Sequence, residues 1–346
     1  MSFERRIPPN LFGVAFGLAG LAQVWQAAER VVGAPRAVAD ALFIVAAAAW
    51  LLTCVAYFRQ GWRQVLADLG DVALAPFVSL AFIIPMLFGA ALYPYAATSG
   101  RVIVAVFLAG TVLVGGWLTG QWMTGDLDPV RLHPGYFLPT VAGGFIGSAA
   151  AAHVGFRSVG VAAFGIGVVC WLMLGSVLLN RLFLRGPLPT SLVPSLAIEA
   201  APPAIAGIAY LALSGPRIGT DIFGGYTVLM ALVQVRLLPL YLRLRFESSF
   251  WLFAFAYASV ASYALDWLDL RRPAGYQGYA AVILVLITGF IGVIAVRSLL
   301  LAAKGEYLPA SPAVPATPAS APAPRHSPDA GSPAPVRGMD GDGLPG

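Results

Sequence analysis

The sequence predicts an all-α membrane protein. Three observations carry this prediction: 59% of the 346 residues are hydrophobic, only 11% are charged, and the mean hydropathy is +0.80. A soluble globular domain needs about a quarter charged residues to cover its surface, and disordered chains are low in hydrophobicity. Both of those classes are excluded, so the lipid bilayer is the predicted surrounding of the chain.

Ten apolar stretches long enough to cross a bilayer follow one another, because a spanning helix needs about 20 apolar residues. The predicted spans are 10–30, 37–58, 75–97, 101–123, 136–155, 158–183, 191–213, 221–242, 249–268 and 277–302. Turn-forming breaks such as Gly33-Ala34-Pro35 and Ser214-Gly215-Pro216 separate them. Since these connections are short, consecutive helices should form five antiparallel hairpins.

One longer connection, from Arg59 to Asp71, predicts a short amphipathic helix lying in the membrane interface. Its charged residues include Arg63 and Asp68, on the opposite side from its apolar residues. The apolar face is formed by Trp62, Val65, Leu66 and Leu69.

The distribution of charge argues for a membrane rather than a nucleic-acid partner. The 21 basic residues give a formal net charge of +5, but they lie singly or in pairs between apolar runs and form no patch. One side of the predicted topology carries more Arg and Lys than the other. The positive-inside rule therefore predicts a multi-pass protein of the cell membrane with both termini in the cytoplasm.

The composition changes abruptly near Glu306. Residues 1–305 hold all the predicted spans and form a predicted ten-helix transmembrane domain, whereas 306–346 is rich in Pro and Ala. Such a segment cannot bury a core, so it predicts a disordered, partly polyproline cytoplasmic tail. An inert tail and a partner-binding tail are both open interpretations.

Signatures of catalysis and metal binding are missing from the sequence. His133, His153 and His326 form no metal-binding pair or cluster, and Cys54 and Cys170 lie inside apolar runs. The chain has no phosphate-binding loop and no serine in a nucleophile elbow. We therefore predict no enzyme activity, no metal site and no cofactor.

Residues that expose the backbone are concentrated in the odd-numbered spans. Examples are Gly13 and Gly17 in the first span, Gly143 and Gly147 in the fifth, and Pro202 in the seventh. A proline inside a membrane helix frees a carbonyl that lipid cannot satisfy, which favours a position against protein or a water-filled cavity. The odd spans would then line a pathway. Alternatively, the small residues only allow close helix packing.

The ninth span carries a stripe of unusual composition. Trp251, Phe255, Ser259, Ser262 and Asp266 recur at spacings of four, four, three and four residues, so they share one helical face. A stripe that runs from aromatic to hydroxyl to carboxylate does not suit lipid. It suits a narrow channel plugged near its middle by an aromatic ring, although Phe255 taken alone also fits simple packing.

Glu199 lies inside the seventh span, three residues before Pro202. A charged carboxylate at the bilayer centre costs about 2.5–3.5 kcal/mol on insertion scales, so it should face protein or water. Three interpretations stay open: a protonated structural acid, an ion pair with Arg236 of the eighth span, or a proton-coupling group.

Four motifs follow one another along the chain: Phe12-Gly13-x-x-x-Gly17-Leu18-Ala19, His133-Pro134-x-x-x-Leu138-Pro139, Ala201-Pro202 and Trp251-x-Phe253-x-Phe255-x-x-Ala258-Ser259. In this order and spacing they resemble the tellurite-resistance/dicarboxylate transporter family, which includes the slow anion channels of plant guard cells. The resemblance covers about residues 8–305.

The resemblance implies ten helices as five hairpins, with the odd helices in a quasi-five-fold ring around a central pore. It also implies a homotrimer that passes small monovalent anions such as chloride and nitrate. The family's gating phenylalanine matches Phe255, the residue that the stripe selects. Ala15 and Ala256 stand where many relatives have proline. The predicted pore-lining residues are Gly13, Gly17, Gly143, Gly147, Glu199, Pro202, Ser259 and Ser262.

Three hypotheses about function follow. The first is a gated channel for chloride and nitrate. The alternative is a proton-coupled exporter of dicarboxylates or tellurite-type oxyanions, in which Glu199 carries the proton. A membrane scaffold or receptor without transport is the third, and it predicts no flux at all.

Overall fold

The computed structural model describes residues 6–125 and 128–308, and these residues form helices and loops with no β-strand among them. The predicted tail lies outside them except for its first three residues. The α-helices are α1 (Phe12–Val32), α2 (Arg36–Phe58), α3 (Trp62–Gly70), α4 (Ala75–Val78), α5 (Leu80–Leu92), α6 (Ala97–Thr124), α7 (Gly143–His153), α8 (Arg157–Leu184), α9 (Ala201–Ser214), α10 (Ile218–Tyr241), α11 (Trp251–Arg271) and α12 (Tyr276–Ala303). The 3₁₀ helices are Pro9–Leu11, Pro129–Arg131, Pro134–Phe137, Thr190–Ala200 and Ser248–Phe250, and a π-helical turn spans Leu138–Ala142.

In the described part of the chain, nine helical segments are long and apolar enough to cross a membrane, so the protein is a multi-pass membrane protein. The predicted first, third, seventh and ninth spans have 67–72% of their most apolar 18 residues buried, and the even-numbered spans only 11–28%. The exposed side chains of the even spans are largely Leu, Ile and Val. Such large apolar surfaces face lipid, since in water they would drive aggregation.

The predicted fifth span is not one long helix. It consists of the 3₁₀ turn Pro134–Phe137, the π-helical turn Leu138–Ala142 and the short helix α7. Pro134 and Pro139 lack the N–H donor that a regular helix needs at those positions, which explains the change of helical type. The whole segment is nevertheless buried.

The seventh span is also irregular. Its first half is the 3₁₀ helix Thr190–Ala200, and α9 begins at Ala201 with Pro202 and Pro203 in its first turn. Proline suits a first helical turn because the N–H there has no partner within the helix. The Pro202-Pro203 pair therefore marks the junction of two helix types.

Helix α3 forms where the sequence predicts an amphipathic helix, and one charged residue of its polar side is buried in the protein. Trp62 and Leu66 are exposed, whereas Asp68 is completely buried. Asp68 accepts hydrogen bonds from the Arg6 guanidinium, from the Tyr57 hydroxyl at 3.0 Å and from the Gln64 amide. These bonds satisfy the carboxylate, which is why this charged residue rather than the whole apolar stripe faces the protein.

Candidate functional site

A cavity of about 470 Å³ opens between the buried helices. We call it the large cavity. Helices α1, α5, α7, α9 and α11 all contribute to its wall, and α2 adds Arg36 and Phe43. Each predicted odd span is therefore represented. Four residues of the ninth-span stripe, from Phe255 through Ser259 and Ser262 to Asp266, line this cavity along one face of α11.

Phe255 closes the inner end of the large cavity. Its ring stacks on Phe16 of α1, with the ring centroids 3.3 Å apart and the planes 10° apart. Beyond the two rings lies a second space of about 20 Å³, here called the small cavity. Phe255 lines both cavities and is only 5% exposed. Phe255 thus stands between two separate spaces, and Phe16, stacked on it, lines only the small one.

Glycines on α1 hold the two ring-bearing helices close together. A Cβ atom on Gly17 would lie 2.7 Å from the Ala254 Cβ, and one on Gly20 would lie 3.1 Å from the Phe255 ring. Gly13 faces the Trp251 Cβ at 3.4 Å. The predicted pore residues Gly13 and Gly17 therefore lie at a helix–helix contact, and they line neither cavity.

The two predicted pore glycines of the fifth span have a similar place. A Cβ atom on Gly143 would lie 2.6 Å from Thr111 Cγ2, and one on Gly147 would lie 2.5 Å from Leu108 Cδ1. Both contacts are with the outer helix α6, and neither glycine lines the large or the small cavity. At all four positions the small residue lets two backbones approach, as in the packing interpretation.

The two predicted serines face the large cavity but differ in their bonding. Ser259 donates a hydrogen bond to the Phe255 carbonyl oxygen at 2.9 Å, so its proton is already engaged. The Ser262 hydroxyl has no partner in the described part of the chain. Ser262 therefore carries a buried, unsatisfied hydroxyl donor beside this space.

The two predicted site residues of the seventh span, Pro202 and Glu199, lie in different places. Pro202 lines the small cavity, whereas Glu199 lines neither space. The Glu199 Oε1 atom is buried without a hydrogen-bond partner among the described residues. Arg236 is exposed on α10 and forms no ion pair with it in that part of the chain. The ion-pair interpretation of Glu199 is therefore wrong.

His133 braces the segment that walls the small cavity. It precedes the turn that carries Phe137, and its Nδ1 accepts a hydrogen bond from the Gly135 amide at 3.1 Å. The Nε2 atom lies 3.3 Å from the Ala73 carbonyl oxygen, which fixes Nε2 as the protonated nitrogen. Burial lowers the pKa of His133 to about 4, so the ring is neutral at physiological pH.

Sequence reasoning missed two residues of this site. Phe16 provides half of the stacked pair, and its spacing of four residues from both Phe12 and Gly20, next to the glycine stripe, is the signal that could have found it. Arg30, which the sequence analysis does not single out, lines the large cavity and pairs with Asp266. Only contacts between α1 and α11 reveal either role.

A buried set of irregular helices around a cavity, wrapped by lipid-facing helices, defines a polytopic membrane transport protein. A sequence profile of the family described as voltage-dependent anion channel matches residues 6–299. The chain belongs to this family, which confirms the resemblance inferred from the four motifs. The family consists of channels and transporters rather than enzymes.

A relative from Haemophilus influenzae, described as "Tellurite resistance protein TehA homolog", is 27% identical over 307 residues. The match covers 87% of this chain and 92% of the relative. The likeness therefore extends over the whole helical region and is not confined to one motif.

Proposed function

We propose that the protein is an anion channel that conducts small monovalent anions such as chloride and nitrate, with Phe255 as its gate. The observation that carries the proposal is the place of Phe255, stacked on Phe16 between the large and the small cavity. An apolar constriction of this kind blocks ions by excluding water, and rotation of a ring relieves it. Family membership supports anions as the transported class.

The large cavity supplies the groups that an incoming anion needs. Arg30 and Arg36 lie at its wall, and the Ser262 hydroxyl is a buried, unsatisfied donor beside it. Replacing part of the hydration shell by such donors lets an anion approach the constriction without full desolvation. We expect flux through the channel to follow the electrochemical gradient.

The test is flux through the purified full chain in liposomes, with chloride, nitrate, malate and tellurite offered separately. We expect chloride and nitrate to move under a membrane potential, and we expect the rate to be independent of a pH gradient. Flux of malate or tellurite that requires the pH gradient would contradict the channel. No flux of any anion would favour the scaffold hypothesis.

A proton-coupled exporter of dicarboxylates or tellurite-type oxyanions is the second candidate. The unpartnered Glu199 Oε1 atom favours it, because a buried carboxyl group without a partner is suited to gaining and losing a proton. The name of the Haemophilus influenzae relative also points to tellurite.

Glu199→Gln separates the two candidates. In the exporter, this change abolishes pH-driven transport and leaves passive leak intact. In the channel, it leaves voltage-driven chloride flux within about twofold of wild type, because Glu199 lies off both cavities. Arg236→Gln is the matched control, since Arg236 is an exposed charged residue of the neighbouring helix.

The finer architecture belongs to the same proposal. We infer ten spans, of which the odd-numbered ones form a quasi-five-fold ring. We also infer a homotrimer in which each copy of the chain has its own pore. The protein would lie in the cell membrane with both termini in the cytoplasm. The burial of the odd spans supports the ring. Crosslinking in membranes tests the trimer, and labelling of single cysteines in the terminal segments tests the orientation.

A further inference from the structure

The wall of the large cavity carries charges of both signs. Its carboxylates are Glu29, Asp266 and Asp269, and its cationic or titratable residues are Arg30, Arg36 and His153. A carboxylate beside an anion pathway repels the permeating ion unless a cation compensates it. Each of the three acids has an arginine within 4.0 Å: Arg30 for Asp266, Arg36 for Glu29 and Arg272 for Asp269.

The Arg30–Asp266 pair is the most enclosed of the three. The Asp266 side chain is 11% exposed, against 26% for Asp269 and 36% for Glu29. Asp266 also shares the helical face of Phe255 and Ser262, about 16 Å along α11 from the gate. The pair joins α1 to α11, the two helices that carry the stacked rings.

The guanidinium of Arg30 has donors to spare. One Nη2 donor contacts Asp266, and Nη1 reaches the Gln26 carbonyl oxygen only at 3.4 Å. The Arg30 side chain is 54% exposed, so an anion in the cavity can reach its remaining N–H groups. The same guanidinium can therefore be shared between Asp266 and a passing anion.

We propose that Arg30 is the anion-binding group of the large cavity and that Asp266 limits its affinity. Conduction requires a site that attracts the ion and also releases it. An uncompensated arginine in an enclosed space would hold the anion, whereas one shared with a carboxylate holds it weakly. Asp266 is thus a positioning and affinity-setting residue, and this role rests on the proposed channel function.

The test uses chloride-dependent current in a Phe255→Ala background, where flux is large enough to measure. We expect Asp266→Asn to lower the half-saturating chloride concentration by about three- to tenfold and to reduce the maximal current. Arg30→Gln should raise the half-saturating concentration. The double variant should resemble Arg30→Gln, because Asp266 acts only through Arg30.

The matched control is the Arg271–Asp221 pair, which joins α10 to α11 and does not line the large cavity. Asp221→Asn should leave the half-saturating concentration unchanged. A response to Asp266→Asn no larger than the response to Asp221→Asn would overturn the proposal. Asp266→Ser provides a second variant if the asparagine variant does not yield monodisperse protein.

A binding measurement separates this inference from the channel itself. Chloride and nitrate should raise the thermal unfolding midpoint of detergent-solubilised protein, and Asp266→Asn should shift that response to lower anion concentration. If Arg30→Gln loses the anion-dependent rise of the unfolding midpoint and the Asp221→Asn control keeps it, the result supports the site even when no conduction is measured. If the Phe255→Ala protein conducts but Arg30→Gln leaves both binding and half-saturation unchanged, the site is wrong while the channel stands.

Discussion

The two sides of the stacked rings differ in size and in chemistry. The large cavity holds about 470 Å³ and has charged and hydroxyl side chains in its wall. The small cavity holds about 20 Å³, and its lining side chains, which include Ile198, Pro202 and Leu252, are all apolar. A space of that size accommodates at most about one water molecule.

This difference locates the barrier to ions. An anion can enter the large cavity with most of its hydration shell and meet donors there, whereas the small cavity offers neither room nor polar partners. Desolvation without compensating hydrogen bonds costs several kcal/mol for polar groups and more for ions. In the proposed channel, the resistance of the closed state therefore begins at Phe16 and Phe255. Variants at the rings and at the surrounding helix contacts test this contrast between the large and the small cavity.

Phe255→Ala should have the largest effect. Removing the ring joins the two cavities, and we expect anion current in oocytes or liposomes to rise about tenfold or more, which corresponds to about 1.4 kcal/mol of barrier. Phe253→Ala is the matched control, because Phe253 lies on the same helix but packs on Tyr241 and Phe250. Unchanged current in correctly folded Phe255→Ala would remove Phe255 from the gate.

Phe16→Ala should have a smaller effect in the same direction. The Phe255 ring stays in place but loses its stacked partner, so it rotates more freely between the cavities. Aromatic pairs contribute about 0.5–1.5 kcal/mol beyond burial, which predicts a rise in current of about two- to tenfold. A fall in current with intact folding would show that Phe16 does not hold the gate closed.

Gly17→Ala tests the close contact that positions the rings. The added methyl group would lie 2.7 Å from Ala254 and Trp251, so α1 and α11 must separate. Overpacking of this kind costs about 1–3 kcal/mol, and we expect a lower thermal unfolding midpoint in detergent. Gly116→Ala is the control, because nothing lies within 4 Å of that position. Equal midpoints for the two variants would contradict the packing argument.

The smallest effect concerns the loop that walls the small cavity. The pKa of His133 is about 4 in the folded protein and 6.5 in its unperturbed form. The unfolded chain therefore binds more protons between these values, and stability should fall as the pH drops from 6.5 towards 4. His133→Asn keeps an acceptor for the Gly135 amide and should flatten the decline. If the thermal unfolding midpoint falls equally with pH in the wild type and in His133→Asn, other titrating groups cause the loss of stability.

Much of the architecture could be predicted because hydropathy and helix-breaking residues act locally. The spans, the excess of backbone-exposing residues in the odd ones, and the stripe from Trp251 to Asp266 all follow from the order of residues. The helix types within the fifth span could not be predicted from hydropathy, since Pro134 and Pro139 convert its start into 3₁₀ and π turns.

The site was predicted less completely, because contacts between residues of distant segments cannot be derived from local sequence patterns. Phe16 meets Phe255, and Arg30 meets Asp266, only when α1 packs against α11. Glycine spacing is also ambiguous: the same pattern suits a pore wall and a helix contact, and at Gly143 and Gly147 the neighbours are Thr111 and Leu108 of an outer helix.

The most direct test of a water-accessible large cavity and an inaccessible small cavity is the reaction of single cysteines with a charged thiol reagent. Cys54 and Cys170 are first replaced by alanine, and then Ser259→Cys reports on the large cavity and Ala201→Cys on the small one. With Phe255 present, we predict rapid modification at position 259 and none at 201. Position 201 should become reactive in Phe255→Ala. Equal reactivity at both positions with Phe255 intact would contradict the account.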